Sequence, residues 1–481
     1  GEDMPGEEVD ILDSCACSGA NLPRFVQPVL LALLAQEPVH GYALVRKLAD
    51  TGLFGPQMPD MTGCYRMLRD MEKNGVLESV SGRGEGPSRR IYAVTERGMR
   101  CLNRWTETLA RSRGHLESVL DFLQAVQRTG RPSWEACPLK ERAFMEEVRA
   151  RALAGELPRR EDMLRLLSYA PRSAEAAFLG RLARSVAREV AGDTARVWAA
   201  VGVDCAPCPM NCAFCAFGRA WGVVKEAHEW ATGDILGAAC RYAFEGAAWV
   251  VLRTTEQYGL ERLSALTAKA RELLPERCVL VANTGQKGAR DIEALKKAGV
   301  EVMYHALRLG EGRDTPFDPG ERRAALNTIR NAGMTLACLA EPLGVEHTDG
   351  EIADSLLAAL SAGAEICGVM ARINVPGTPF EGREEVSEER LAQVAAVARL
   401  CGGTATPHIC VHPPVPLAVE WGANVLVVET GAVPRDAGEV PGEWKGFSVE
   451  DARKMFVQAG YAFSRSARDM AGRGREHPAG A

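Results

Sequence analysis

The sequence predicts an α/β chain in two parts, a TIM-type (βα)8 barrel preceded by a smaller α+β domain. Three observations carry this. From Thr194 onward, short apolar runs alternate with amphipathic helical stretches, the pattern of βα units around a parallel barrel. Before residue 128 the order differs, with helices first and then two alternating runs. At 481 residues the chain is also longer than one core usually fills, and Gly130-Arg131-Pro132-Ser133 with Pro138 punctuates it between the two patterns. The expected divisions are an acidic tail over 1–19, a first domain over 20–128, a linker over 129–149 and a barrel with C-terminal helices over 150–481.

In the first domain, Phe25 to Leu34 is apolar at helical spacing, and Pro38-Val39-His40-Gly41-Tyr42 reads as a turn into a second helix through Leu48. A third helix runs from about Met61 to Asn74, with Tyr65, Leu68 and Met71 on one face and Arg66, Arg69 and Lys73 elsewhere. Gly75 ends it, as a residue at ease in the left-handed region should. The alternating runs Val76–Val80 and Arg89–Val94 flank a glycine-rich stretch from Ser81 to Gly86, a hairpin with a basic tip. A long helix then opens at Thr95 and carries Leu102, Trp105, Leu109 and Leu116 as an apolar stripe. Helices, hairpin and long helix in this order make a winged helix.

In the second part, barrel strands are expected near 195–203, 247–253, 278–284, 301–308, 335–342, 366–375, 404–411 and 424–429. Helices fall between them at Leu260–Leu274, Ala289–Ala298, Glu321–Ala332, Glu351–Ala362 and Ser387–Leu400, and Gly299, Gly333 and Gly363 sit where three of them should stop. A closed barrel gathers its functional groups at the C-terminal ends of its strands.

Composition narrows the function classes. Apolar residues at 46% with 25% charged are ordinary for a globular protein, and a net charge of -6 gives no whole-chain case for nucleic acid. No run of 18 uninterrupted apolar residues occurs, and the acidic stretch Glu2 to Asp13 is the opposite of a signal peptide. A cytoplasmic protein with no membrane partner is therefore expected, and its 15 cysteines read as reduced thiols and metal ligands.

Cys208, Cys212 and Cys215 follow the first barrel strand at the spacing C-x3-C-x2-C, with Phe214 before the last. Thiolates this close on a loop can converge on one iron–sulfur cluster. Three fall one short of a closed site, which leaves a position open for a small molecule. The pattern with its aromatic resembles the signature of the radical S-adenosylmethionine (SAM) superfamily. That resemblance implies a [4Fe-4S] cluster whose unique iron takes the amino and carboxylate groups of SAM. It implies a 5′-deoxyadenosyl radical after reduction by a donor such as ferredoxin or flavodoxin, an oxygen-poor setting, and a small substrate inside the barrel. Cys205 lies three residues upstream and is not expected to be a ligand.

Element order, the segments Arg308–Thr315 and Glu341–Thr348, and the run Arg372 to Pro379 resemble the biotin synthase branch of that superfamily. The likeness implies cofactor contacts from Phe214, Thr254, Thr255, Glu256, Arg308 and Glu341, with Glu256 as acceptor for the SAM ammonium. Arg308, Glu311 and Arg372 are the expected substrate or catalytic residues, Arg308 and Arg372 hinting at an anion; Glu346, Asn374 and His305 stand behind them. Biotin synthase holds a second cluster on barrel cysteines. The corresponding positions here are Leu252, Leu280 and Ala337, with only Cys338 close, which argues against that cluster. His408, Cys410 and His412 alternate along the seventh strand and so point one way. They read either as ligands of a second metal or cluster, or as hydrogen-bonding histidines around a packing thiol.

In the first domain, His40-Gly41-Tyr42, Tyr65-Arg66-Met67-Leu68 and Arg90 to Thr95 resemble the PadR family of transcriptional regulators. The resemblance implies a homodimer formed partly through the long helix, with the third helix in a DNA major groove. Arg66, Arg69 and Lys73 would then face DNA, and Arg83, Arg89 and Arg90 would track phosphate. A winged helix can equally dock a protein. Cys15 and Cys17 read as a C-x-C pair for metal or redox sensing, with Cys64 or Cys101, or as free thiols.

Overall fold

A computed structural model of the protein describes residues 25–51, 53, 60–81, 90–109, 133–436, 439–440 and 442–467. The chain divides into two units, Gly1–Gly130 and Arg131–Ala481, each with its own core.

The first unit holds α1 (Val26–Gln36), β1 (Val39–His40), α2 (Gly41–Asp50), α3 (Met61–Lys73), β2 (Leu77–Ser81), β3 (Arg90–Val94) and α4 over 96–109. Its core gathers Leu30, Leu31, Leu34, Leu44, Leu48, Leu68 and Met71, the stripes that the helical periodicity marked. Each such side chain withdrawn from water contributes about 1.5–3 kcal/mol. Asp60 caps α3 by accepting from the Gly63 N–H at 2.7 Å, and Gly75, at φ +70°, ends it. The segment read as a turn before α2 is instead a third strand: Val39 and His40 pair antiparallel with Tyr92 and Ile91. Two residues are too short to show a period in the sequence.

The second unit opens on α5 (Leu139–Leu153), α6 (Arg160–Ser168) and α7 (Ala174–Ala191). Here the linker reading needs correction. Residues 133–149 pack, with Cys137, Met145 and Val148 buried, α5 lying against α7 and the Trp134 ring 6.2 Å from that of Phe178. After β4 (Thr194–Gly202) a ribbon of β5 (Asp204–Cys205) and β6 (His228–Glu229) brackets the cysteine loop. Then follow α8 (Thr232–Glu245), β7 (Trp249–Arg253), α9 (Leu260–Leu273), β8 (Val279–Asn283), α10 (Ala289–Lys297), β9 (Val302–Tyr304), α11 (Pro319–Asn331), β10 (Thr335–Ala337), β11 (Ala340–Leu343) and α12 (Asp349–Ser361). The chain continues through β12 (Ile366–Ala371), α13 (Glu388–Gly402), β13 (His408–His412), α14 (Pro416–Glu420), β14 (Val425–Ala432), β15 (Glu439–Val440), α15 (Val449–Gln458) and β16 (Ala462–Phe463).

The parallel strands run β4-β7-β8-β9-β10-β12-β13-β14, and β14 pairs back onto β4 from Val425 opposite Arg196 to Gly431 opposite Gly202. The sheet closes, and all eight expected strands are in it. Side chains alternate about its wall. Trp198, Val251, Val281, Tyr304, Leu339, Cys410 and Val427 fill the interior, whereas Val197, Leu252, Leu280, Cys338 and Cys367 face the helices. Among the described residues no helix is long and apolar enough to cross a membrane.

Candidate active site

Closure brings the C-terminal ends of the strands around one cavity, and the loop after β5 forms one wall of it. That loop folds on itself through its backbone. The Cys208 N–H donates to the Phe217 carbonyl at 2.6 Å, Cys215 to Cys212 at 2.9 Å and Gly218 to Cys215 at 3.2 Å. Asn211 takes the left-handed region at φ +49° and accepts from the Ala220 N–H, while Trp221 Nε1 donates to the Cys215 carbonyl. Two further bonds fasten the loop to the barrel rim: Ala213 N–H to Asp314 O at 2.9 Å and Ala216 N–H to Pro434 O at 2.8 Å. Cys208, Cys212, Cys215 and Phe214 thereby line the cavity together.

Burial pushes the Cys212 thiol up to about 12 and the Cys215 thiol to about 11; Arg308 works the other way on both. Such thiols ionise only if a cation enters with them. Among the described residues no three His, Cys, Asp or Glu side chains stand close enough to share one metal ion. A [4Fe-4S] cluster gives each thiolate its own iron, so three thiols along one wall suit it. The donor set fits the group that the motif implies.

The rest of the rim continues from the ends of other strands. Asp204 accepts from Thr255 N and Thr255 Oγ1 at 2.9 and 2.5 Å, and burial holds its carboxyl above the usual range despite them. Thr254 Oγ1 donates to Thr284, and Glu256, which lines the cavity, accepts from the Gln286 N–H at 2.9 Å. Arg308 lines the cavity beyond β9 with a buried Nη1 that makes no hydrogen bond and has Glu311 Oε1 3.7 Å away. Burial opposes its charge, but Glu311, Cys212, Glu341 and Glu256 hold the guanidinium above its ordinary range. Glu341 accepts from Tyr304 Oη at 2.6 Å. His305 also faces the cavity, and burial keeps its imidazole well below the usual value.

The structure does not bring every expected residue to the cavity in the expected way. Glu311 is 2% exposed and is spent on the Arg308 N–H, Thr315 and Arg322, so it positions Arg308 without reaching the cavity. Arg372, also 1% exposed, lies in the wall, but Glu346 takes it bidentately at 2.7 and 3.1 Å and the Glu384 carbonyl takes a third bond. Arg372 still lines the cavity and keeps an Nη1 without a hydrogen bond, whereas Glu311 is not part of the lining. Asn374 caps its own loop, accepting from Gly382 N–H. Cys205 sits in the ribbon, paired with His228, outside the cavity lining.

His408, Cys410 and His412 do share the interior face, but they are strung along it. His408 packs edge-on against Trp249 at 4.9 Å, Cys410 lies among apolar neighbours and His412 turns to Glu429. They do not converge on one point, and no metal set forms from them among the described residues. Leu252, Leu280 and Cys338 face outward and Ala337 inward, so Cys410 is the thiol that the interior cluster contains.

Sequence reasoning missed Asp204, Tyr304, Arg322, Glu429 and Arg435, all of which line the cavity. A signal existed for one: Glu429 is the lone charge in the apolar run Val425 to Ala432.

On the first unit, Arg66, Arg69 and Lys73 are exposed along one side of α3, and Arg90 is exposed beside Glu72 at 3.2 Å. Arg83, Arg89, Cys15 and Cys17 lie outside the described residues. Cys64 is buried in the core and Cys101 half-buried.

Comparison with known proteins agrees with both halves. Residues 30–104 match the model of the transcriptional regulator PadR-like family. The biotin synthase of Persephonella marina is 25% identical over 281 residues, spanning 56% of this chain and 81% of that protein. The biotin synthase of Xanthomonas oryzae pv. oryzae is 26% identical over 206 residues, 40% of this chain and 58% of that protein. Among solved structures, HydG, a maturase of the [FeFe]-hydrogenase, superposes with a TM-score of 0.58 at 13% identity, covering 70% of this chain and 79% of its own. Methylornithine synthase (PylB) gives 0.55 at 16% identity, covering 67% and 99%. The barrel is thus similar to those of the radical SAM enzymes. The chain as a whole joins a barrel distantly similar in sequence to biotin synthases to a PadR-like winged helix.

Proposed function

We propose that the protein is a radical SAM enzyme acting on a small substrate held in the barrel cavity, its winged helix serving for DNA binding or dimerisation. The observation that carries this is the loop that sets Cys208, Cys212 and Cys215 on one cavity wall beside Arg308. These thiols would hold the [4Fe-4S] cluster. Bound there, cluster and SAM supply a 5′-deoxyadenosyl radical once ferredoxin, flavodoxin or a similar donor delivers an electron. Glu256 offers its carboxylate to an ammonium group, and Arg308 offers to a carboxylate an Nη1 that makes no hydrogen bond, with Glu311 3.7 Å behind it. Tyr304 fixes Glu341 in the wall. The apolar interior of Trp198, Val251 and Val427 keeps water from reactive carbon.

The test is anaerobic reconstitution with iron and sulfide, reduction, addition of SAM and chromatography for 5′-deoxyadenosine. Product is expected, and its loss is expected on replacing any of the three cysteines by Ala. A bound cluster without cleavage moves the function to a sensor that reports to the winged helix, the reading that the PadR-like match favours. No cluster at all defeats both.

A further inference from the structure

The ribbon that brackets the cysteine loop also holds the chain that follows β7. Its two strands set Asp204 opposite Glu229, so the loop joins one carboxylate-bearing strand to the other. Asp204 lines the cavity and is 8% exposed. It gives both oxygens to one residue, accepting from the Thr255 N–H at 2.9 Å and from Thr255 Oγ1 at 2.5 Å. Glu229 accepts from Tyr258 Oη and pairs with Arg262. Asp204 has no ion pair among the described residues, since Arg262, the cation that bears on it, is held by Glu229. Burying a carboxylate without a cation is costly even with two hydrogen bonds, so stability is given up to fix where Thr255 lies.

Glu256, the next residue, is held from the opposite side. Its Oε1 accepts from the Gln286 N–H at 2.9 Å. A Cβ on Gly285 would lie 2.4 Å from the Glu256 carbonyl oxygen and 2.8 Å from its carboxyl carbon, so the absence of a side chain there makes room for Glu256. Thr254 is tied to β8 and the residue after it, by its N–H to the Asn283 carbonyl at 2.9 Å and its Oγ1 to Thr284 at 2.7 Å. Of these three consecutive residues, Thr255 is the one fixed from the side of the cysteine loop, and Asp204 fixes it.

We infer that Asp204 is a positioning residue for Glu256. It sets Thr255, and through Thr255 the direction in which the Glu256 carboxylate meets a ligand ammonium. The ribbon thereby ties the ammonium end of the SAM site to the loop that carries the cluster thiols, Asp204 lying four residues before Cys208. A carboxylate set in place beforehand loses little freedom when the cation arrives, and a small displacement weakens a charge-assisted bond steeply. The inference rests on the proposed reading that this cavity takes SAM beside a cluster.

The experiment measures SAM binding by calorimetry to the full-length, cluster-loaded, unreduced protein in a double-mutant cycle of Asp204→Ala and Glu256→Gln. Each single change is expected to weaken SAM by about tenfold, and the pair by little more than Glu256→Gln alone, because Asp204 acts through Glu256. Asp204→Asn is expected to recover most of the affinity: its amide oxygen still accepts from the Thr255 N–H, and its amide N–H can donate to Thr255 Oγ1. Iron bound after reconstitution is expected to be the same in every form. Should Asp204→Ala fail to fold, Thr255→Val removes the hydroxyl bond alone and takes its place in the cycle, with a smaller loss of about threefold. Additive losses, unchanged affinity in either single variant, no recovery in Asp204→Asn, or iron content that falls along with affinity overturns the positioning role. The enzyme reading fails separately: if the cycle is coupled as expected and the reduced unaltered protein makes no 5′-deoxyadenosine, Asp204 keeps its role and the enzyme reading falls. An unaltered protein that takes up no cluster, or binds no SAM, defeats that reading and this inference together.

Discussion

Glu429 and Arg308 show how single side chains in this cavity depend on partners far away in sequence. Replacing Glu429 by Gln leaves Arg253 and Arg435 buried side by side without their carboxylate. A cost of about 3–5 kcal/mol is expected, measured by urea unfolding of the iron-free protein. Arg308→Gln removes a cavity cation at a smaller cost to the fold, and calorimetry should find SAM binding to the loaded protein weaker by about tenfold or more. At this scale the sequence was legible where position alone decides. The three cysteines and Arg308 follow predicted strand ends, and barrels put chemistry there. It was not legible where pairing decides. Arg372 looks like a free cation until the fold brings Glu346 onto it, and Arg435 looks like a loop residue until β14 lies beside β4.

At the scale of elements, helix and strand order followed the hydrophobic periods, and Gly299, Gly333 and Gly363 all adopt positive φ at helix ends. The failures were short or disguised pieces. Strand β1 has two residues, and α5 hides behind a Pro-rich entry that reads as a linker. The cysteine loop is tightly packed: a Cβ on Gly218 would lie 2.0 Å from the Trp221 ring. Gly218→Ala should therefore displace Trp221 from the Cys215 carbonyl, cost about 1–3 kcal/mol and lower the iron content after reconstitution. The buried histidines make a different prediction. Burial holds His305, His408 and His412 below the ordinary histidine range, His305 and His408 far below it. Unfolded, they titrate near about 6.5. Stability present above that pH is thus lost as pH falls through the folded values, by up to about 1.4 kcal/mol per histidine per pH unit. His408→Leu should shrink the difference between urea midpoints at pH 7 and pH 5.

The whole molecule is two units with separate cores, and its composition hinted at this only through length and a change of pattern. Calorimetry should resolve two transitions. SAM bound to the loaded protein should raise one of them, by the mass-action term that any native-state ligand contributes. A DNA duplex bound through Arg66, Arg69 and Lys73 should raise the other, and that shift should fade with salt. A single transition that moves with either ligand would contradict independent cores. What composition did not reveal is which surface does what, because net charge averages the exposed basic side of α3 against an acidic remainder.

The cysteine loop is moored to its neighbours by main-chain groups, to the carbonyls of Asp314 and Pro434. Carbonyls are common to every residue. Neither bond uses the side chain at position 314 or 434, so a change there leaves the loop moored, and the cavity mouth can be revised while the wall that carries the three cysteines keeps its shape.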